Sequence, residues 1–292
     1  MATMKTLNGY GFNATELNGK TSDSYLQKTD TASNTSKLGG KAPEYYLQPR
    51  NLLDNSDFTN PVNQRGVEYG ANRNSGYTID RWYYEQSAGA GDGYFGFTKY
   101  YVSLLAPSDG YSQMYQNLEK YAKLKGKNVT FAALISRGGT EKIACVTFTL
   151  GSIDAGLKLF EDESLKLYSI DGMNILVRAT GAEEFQFIWA ALYEGSYTAD
   201  TLPPYVPKGY AAELAECMRY YQKFQMLAGT DANAAQRVFV ILPVAMRITP
   251  TIAYELMSGE QPNNVVAQAR NTIDVTGAAS YSHLSISLSA DL

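Results

Sequence analysis

NLLDNSDFTNPVNQRG (Asn51–Gly66) and YTIDRWYY (Tyr77–Tyr84) stand where the character of the chain changes. Before them lies a thin, repetitive segment. After them come dense, alternating apolar runs. Leu52, Leu53 and Phe58 suit the opening of a buried strand. Asn55, Asp57 and Asn60-Pro61 suit turns, because Asx side chains bond nearby backbone and proline presets φ. Tyr77, Ile79, Trp82 and Tyr84 supply a second apolar run. The stretch reads as the entry into a β-sandwich.

The chain has 292 residues, a length that suggests about two domains. It is 45% hydrophobic and 18% charged, which is globular content with few charges. Tyrosine is the excess, at 23 residues; its apolar ring and polar tip suit half-wet surfaces. A net charge of −4 without clustered Lys and Arg argues against a nucleic-acid partner. No apolar run approaches the ~20 residues of a membrane helix, so membrane insertion is not expected. MATMKTLNGYGFN (Met1–Asn13) lacks the apolar segment of a secretion signal, so the expectation is folding in a cytoplasm, which the resemblance given below makes a bacterial one. The sequons at Asn13, Asn34 and Asn128 then read as chance matches. Cys145 and Cys217 are too few for a disulfide framework and match no metal spacing. Cys145, within IACVTFTL, reads as a small buried apolar residue.

Residues 1–50 repeat themselves. LNGKTSDSYLQ (Leu17–Gln27) returns as LGGKAPEYYLQ (Leu38–Gln48), and a degenerate copy begins at Leu7-Asn8-Gly9. Neither valine nor isoleucine occurs before Val62, so strands with a two-sided core are not expected there. Each unit carries too little apolar surface to offset the ordering entropy of one chain, so it must either hang loose or pack against neighbours. A narrow shaft of associated chains is the expectation.

Residues 51–208 carry strand-like runs at 94–105, 111–118, 128–136, 143–150, 164–170, 173–179 and 184–193, with an uncertain turn at Leu118–Leu124. Val129, Phe131, Ala133 and Ile135 alternate, as do Phe185, Phe187, Trp189 and Ala191. Gly138-Gly139 and Asp171-Gly172 are hairpin signals. Many short strands at close spacing predict a sandwich or jelly roll. Pro203, Pro204 and Pro207 predict a stiff, extended exit.

Residues 209–292 begin with AAELAECMRYYQKF, where Leu214, Cys217, Met218, Tyr221 and Phe224 follow helical spacing. Runs at 237–244, 251–256, 265–269 and 271–275 predict strands. SHLSISLSADL (Ser282–Leu292) alternates Leu284, Ile286, Leu288 and Ala290 against His283 and serines, as a half-buried strand tied into the fold.

The wording of several stretches resembles phage and prophage tail fibres, the receptor-binding proteins of the tail tip. The stretches are NLLDNSDFTNPVNQRG with YTIDRW, the exit WAALYEGSYTADTLPPYVPKGY (Trp189–Tyr210), ELAECMRYYQKF (Glu213–Phe224), Met246-Arg247 and Thr249–Ile252. LGGKAPEYY is similar to the short repeats that precede fibre heads, where three chains wind together. The resemblance implies a homotrimer with other tail proteins at the N-terminus. It implies a bacterial surface glycan or protein as receptor, and a mature location at the tip of a virion or tail-like particle. It further implies a jelly-roll domain similar to carbohydrate-binding modules.

The chain is poor in catalytic residues. His283 is the lone histidine, on a Ser-rich strand, and reads as a surface residue rather than a base. Gly89–Gly93 has glycines but no following helix or Lys-Ser/Thr, so a phosphate loop is not expected. Asp54, Asn55 and Asp57 are candidate Ca²⁺ ligands or, as we expect, ordinary Asx turns. Glu161, Asp162, Glu163, Glu183 and Glu184 are the carboxylates that a glycan depolymerase would draw on, since glycoside cleavage takes two facing carboxyl groups. The candidates for a binding surface are aromatic: Tyr83, Tyr84, Tyr94, Tyr100, Tyr101, Tyr111 and Tyr115. Strand alternation turns about half of such residues away from a core, and an exposed aromatic ring stacks on the apolar face of a sugar.

The expectation is therefore a mainly β chain: a repetitive shaft (1–50), a jelly-roll sandwich (51–208) and a β-rich head opened by a short helix (209–292). It would act in non-enzymatic adhesion, without cofactor or metal. The alternatives are a depolymerase on the same scaffold and a purely structural tail component.

Overall fold

The computed structural model describes residues 49–68, 74–87, 93–152, 157–160, 162, 164–169, 175–228, 237–277 and 281–291, with the backbone of 16–17, 20–21, 70–72, 170 and 173–174. The chain divides into two compact units, Met1–Gln48 and Pro49–Leu292. In the first, β1 (Glu16–Leu17) and β2 (Lys20–Thr21) pair antiparallel. The rest of the repeats, the glycine run at 89–92 and the Asp171-Gly172 turn lie outside the described residues.

The second unit is mainly β. Its early strands are β3 (Gly70–Asn72), β4 (Gly76–Tyr77), β5 (Tyr83–Gln86), β6 (Tyr94–Phe97), β7 (Val102–Leu105) and β8 (Tyr111–Gln116). One helical turn, α1 (Tyr121–Leu124), precedes β9 (Asn128–Arg137) and β10 (Thr140–Thr149). Then follow β11 (Leu157–Lys158), β12 (Leu165–Ile170), β13 (Met173–Thr180) and β14 (Glu184–Glu194). They form two six-stranded antiparallel sheets. Sheet I has the order β10-β9-β14-β7-β6-β3, and sheet II the order β11-β12-β13-β8-β5-β4.

Alternation makes the core. Val129, Phe131, Ala133 and Ile135 of β9 turn inward from sheet I, and Leu165, Leu167, Val177, Ala179 and Met114 from sheet II, into one buried cluster. Tyr84 and Phe95 meet across the sheets with ring centroids 6.2 Å apart. The alternation expected in β14 fails after Phe187. A bulge shifts the register there, so Ala190 and Leu192 join the core while Trp189 lies half-buried outside it.

The entry stretch is not a regular strand. Along β14, β7 covers only Glu184–Phe187, and residues 52–58 take over that edge beyond it. Leu52 N donates to Leu192 O (2.9 Å), Ala190 N to Ser56 O (2.9 Å) and Phe58 N to Ile188 O (3.0 Å). Asn55 interrupts the ladder with φ 52°, a left-handed conformation that asparagine tolerates. Its buried side chain laces the loop, donating to Val62 O (2.8 Å) and Asp80 O (2.7 Å) and accepting from Val62 N (2.6 Å).

The C-terminal part has its own core. The helix α2 (Tyr210–Cys217) is followed by β15 (Tyr221–Ala228), β16 (Arg237–Ile241), β17 (Thr251–Gly259), β18 (Asn264–Ala269), β19 (Thr272–Thr276) and β20 (Ser282–Ser289). Two three-stranded sheets, III (β15-β20-β17) and IV (β16-β19-β18), enclose Ile273, Val275, Leu284, Ile286 and Leu288. The helical spacing of the sequence runs to Phe224, yet the helix stops at Cys217. The same residues also alternate, and as β15 they pair with β20 over eight positions. The pairing meets their backbone hydrogen bonds and turns Phe224 and Met226 to the core. Among the described residues no helix is long and apolar enough to cross a membrane.

Candidate functional site

The outer face of sheet II gathers what the sequence scatters. Alternation turns Tyr84, Met114, Val177 and Leu167 to the core, so their neighbours face outward. The strand registers then set two rows across the sheet. The first runs Tyr77–Tyr83–Tyr115–Leu176–Tyr168, through β4, β5, β8, β13 and β12. Five strands at ~4.8 Å spacing make it ~19 Å long. Tyr83 stacks on Tyr115 (5.0 Å, 28°) and meets Tyr77 edge-on (5.2 Å). Leu176 is buried between its partners Tyr115 and Tyr168, while the tyrosines stay half-exposed. Burial, then neighbouring Tyr83, raises the Tyr115 phenol to about 12, so its hydroxyl remains a donor at any ordinary pH.

The second row is polar: Glu85–Gln113–Arg178–Lys166–Lys158, through β5, β8, β13, β12 and β11. Gln113 is buried and oriented. Its Nε2 donates to Glu85 (3.0 Å) and its Oε1 accepts from Arg178 Nε (2.8 Å). The guanidinium of Arg178 also lies over the Tyr111 ring (3.9 Å) and near the Tyr168 ring (4.9 Å). Aromatic platforms beside fixed donors and acceptors form a surface suited to a sugar chain.

Of the seven tyrosines singled out from the sequence, Tyr83, Tyr111 and Tyr115 lie on this face. Tyr84 is fully buried, with its hydroxyl 3.1 Å from Ser112 Oγ, and presents no ring face to a ligand. Tyr94 lies on the outer side of sheet I, its phenol raised by burial and then by Glu184. Tyr100, 61% exposed, and half-buried Tyr101 sit at the β6–β7 turn. The sequence reading missed Tyr168, Leu176, Glu85, Gln113, Arg178, Lys166 and Lys158. The alternation in LKLYSI (Leu165–Ile170) and in Ile175–Thr180 held the signal for some of them.

A second polar cluster joins the sandwich to the C-terminal part. Lys208 Nζ lies 2.7 Å from Glu216, 3.3 Å from Asp54 and 3.6 Å from Glu213, and donates to Leu53 O (3.0 Å). Oxygens of these three carboxylates lie within 4.8 Å of one another, a spacing that suits a cation, and the ammonium of Lys208 is in contact with all three. Burial raises Asp54, but Arg81 and Lys208 outweigh it and hold the carboxyl below its ordinary range. The Pro-rich exit is thus laid down on the sandwich rather than free, with Tyr205 stacked on Trp189 (4.6 Å, 3°). Nearby, Arg65 lies between the rings of Tyr77 (4.4 Å) and Tyr221 (4.1 Å). It pairs with Asp80 (3.6 Å) on one side and Asp291 (2.6 Å) on the other.

The acidic loops meet on one arginine. Arg137 pairs with Asp162 (2.6 Å) and with Glu183, beside a cleft lined by Gly138, Gly139, Glu184 and Gln186. Arg137, then Ser164, holds Asp162 well below the usual carboxylate range. A glycosidase needs one carboxyl that keeps its proton, and Asp162 is held in the ionised form instead. Glu161 and Glu163 lie outside the described residues. His283 is half-buried on sheet III opposite Leu227. Cys145 is half-buried rather than buried, its Sγ 3.7 Å from Tyr197 O, and Cys217 is buried with its thiol pushed far up by desolvation. Comparisons with protein-family models, with curated proteins and with solved structures return no match to this chain.

Proposed function

We propose that the chain is a receptor-binding fibre protein of a phage or phage-derived tail, attaching the particle to a bacterial surface glycan through the outer face of sheet II. The observation that carries this reading is the aromatic row Tyr77–Tyr83–Tyr115, half-exposed and flanked by the oriented Glu85–Gln113–Arg178 chain. Stacking on sugar rings uses the first, and hydroxyl recognition the second.

The sandwich reads further as a jelly roll. β7 and β8 are consecutive but lie in different sheets, and they run beside β14 and β13, which do the same. The chain acts as a homotrimer, with residues 1–50 as shaft and other tail proteins at its N-terminal end. Support comes from the repeats and from the outer face of sheet IV. There Phe239 and Ile241, 58% and 76% exposed, are successive outward residues of β16, with Val266 two strands away across Asp274. Linked sites then raise a weak contact ~10²–10⁴-fold.

The test is binding of the purified full chain to host cells or isolated envelopes, set against Tyr83→Ala/Tyr115→Ala. A loss of ~10-fold or more with the fold intact is expected. Undiminished binding by the double variant excludes this face. Absence of binding by the unmodified chain to any host leaves the structural-component reading, and release of reducing ends leaves the depolymerase.

A further inference from the structure

The C-terminal part leaves apolar surface uncovered. Among the described residues, large apolar side chains stand exposed at Tyr100 and Ile143 within residues 51–194, and at eight positions within residues 221–291. The buried cluster of the C-terminal part holds nine residues, a small core for six strands, so further burial stabilises it.

The exposed residues fall on opposite flanks. β17 and β18 are neighbours and are edge strands of sheets III and IV, so β15 and β16 make up the other flank. On β16, Phe239 and Ile241 are successive outward residues, and Arg237 at the end of the strand is held by Asp274. Arg270, in the β18–β19 turn, stands near the Ile241 end, where its Nε donates to Met246 O (2.6 Å). Among the described residues it has no carboxylate partner. On the β17 flank, Tyr254 is 43% exposed, and Met257, the extra residue of a bulge, is 49% exposed. Glu255 and Glu260 are exposed beside them and have no cation partner among the described residues. The nine residues of β17 include neither lysine nor proline, two of the guards that an exposed edge strand carries.

One flank is therefore apolar with an unpaired cation, and the other apolar with two unpaired carboxylates. Two different, complementary patches on opposite flanks fit a head-to-tail contact between copies, the kind that closes into a ring. We propose that the β16 flank of one chain, with Phe239, Ile241 and Arg270, packs on the β17 flank of a second copy, with Tyr254, Met257, Glu255 and Glu260. The inference rests on the homotrimer reading and adds which surfaces meet.

The test uses the full chain, unmodified and as Ile241→Cys, Met257→Cys and the double variant, each treated with a short bismaleimide and run as denatured chains. Cys145 is half-buried, so the unmodified chain is the control. The expected result is that the double variant is joined into twos and threes while neither single variant exceeds the control. Glu255→Lys with Glu260→Lys in the double variant is expected to lower the yield several-fold at low salt, and Arg270→Glu to restore part of it, because facing charges respond together. Should a variant fail to fold, Phe239→Cys with Tyr254→Cys spans the same two flanks. Ile241→Cys joined to itself in pairs overturns the head-to-tail contact. No joining above the control by either cysteine pair, with light scattering still at three chains, overturns this contact and leaves the trimer to the shaft. Single chains by light scattering overturn both the contact and the trimer.

Discussion

Asp80 is 1% exposed, and burial raises its carboxyl to about 6 against the opposing pull of Gln64 and Arg65. A folded-state value above the unfolded one means that the folded protein holds the proton more tightly. The resulting stability is fully present below pH ~4 and is lost as the pH rises through ~6, on the order of 2–3 kcal/mol. Denaturant unfolding at pH 4 and pH 7 is expected to show this gain on acidification in the unmodified chain relative to Asp80→Asn. Identical pH dependence in the two would contradict it. Glu213 is shifted upward too, chiefly by burial, and works in the same direction. Lys208 gives a second residue-scale prediction. Lys208→Met leaves Glu213 without its ion pair, and leaves Asp54 and Glu216 with only Arg81 and Arg50 as counter-charges, and costs about 3 kcal/mol. Millimolar Ca²⁺ is expected to restore part of the lost melting temperature in that variant and to leave the unmodified chain unmoved. A variant indifferent to Ca²⁺ would show that the carboxylates splay apart instead.

At the scale of elements, sheet II separates its core face from the proposed binding face one residue apart. Tyr84→Ala empties a fully buried ring site and is expected to cost about 3–5 kcal/mol. Tyr115→Ala removes a half-exposed ring from the other face and is expected to cost under ~1.5 kcal/mol while weakening cell binding. Thermal melts and binding assays on the two variants are the check; equal stability losses would mean that the outer tyrosines serve packing. Period-two alternation makes several strands legible from the residue order. β9, expected at 128–136, is Asn128–Arg137, and the terminal run is β20. The failures are local in kind. The entry at 51–63 carries strand-like leucines, yet left-handed Asn55 breaks the ladder. Residues 221–224 satisfy helical and strand spacing alike, and pairing with β20 settled the choice.

For the whole molecule, two apolar clusters lie in one compact unit, and the contacts between the two parts include ion pairs, cation–ring contacts and hydrogen bonds such as Gln64 Nε2 to Tyr221 O (2.9 Å). Arg65 reaches Asp80 and Tyr77 on the sandwich and Asp291 and Tyr221 on the C-terminal sheet, so the last residues of the chain help to hold the junction. Light scattering on the full chain is expected to give three times its 32.1 kDa mass. Residues 49–292 alone are expected to associate more weakly and to shift toward monomer on dilution, with the face of Phe239 and Ile241 as the remaining contact. A full chain that stays monomeric at any concentration would refute the shaft.

The amino-acid order alone carried the β class, most strand positions, the side of each strand that is apolar and the surplus of tyrosine, because these follow from local spacing. It did not carry the rows on sheet II. Tyr83 and Tyr168, or Gln113 and Arg178, become neighbours only once β5, β8, β13 and β12 lie side by side in register. That order comes from non-local hydrogen bonding and core packing. A period of two names the face on which a side chain lies and is silent about which distant strand will lie beside it.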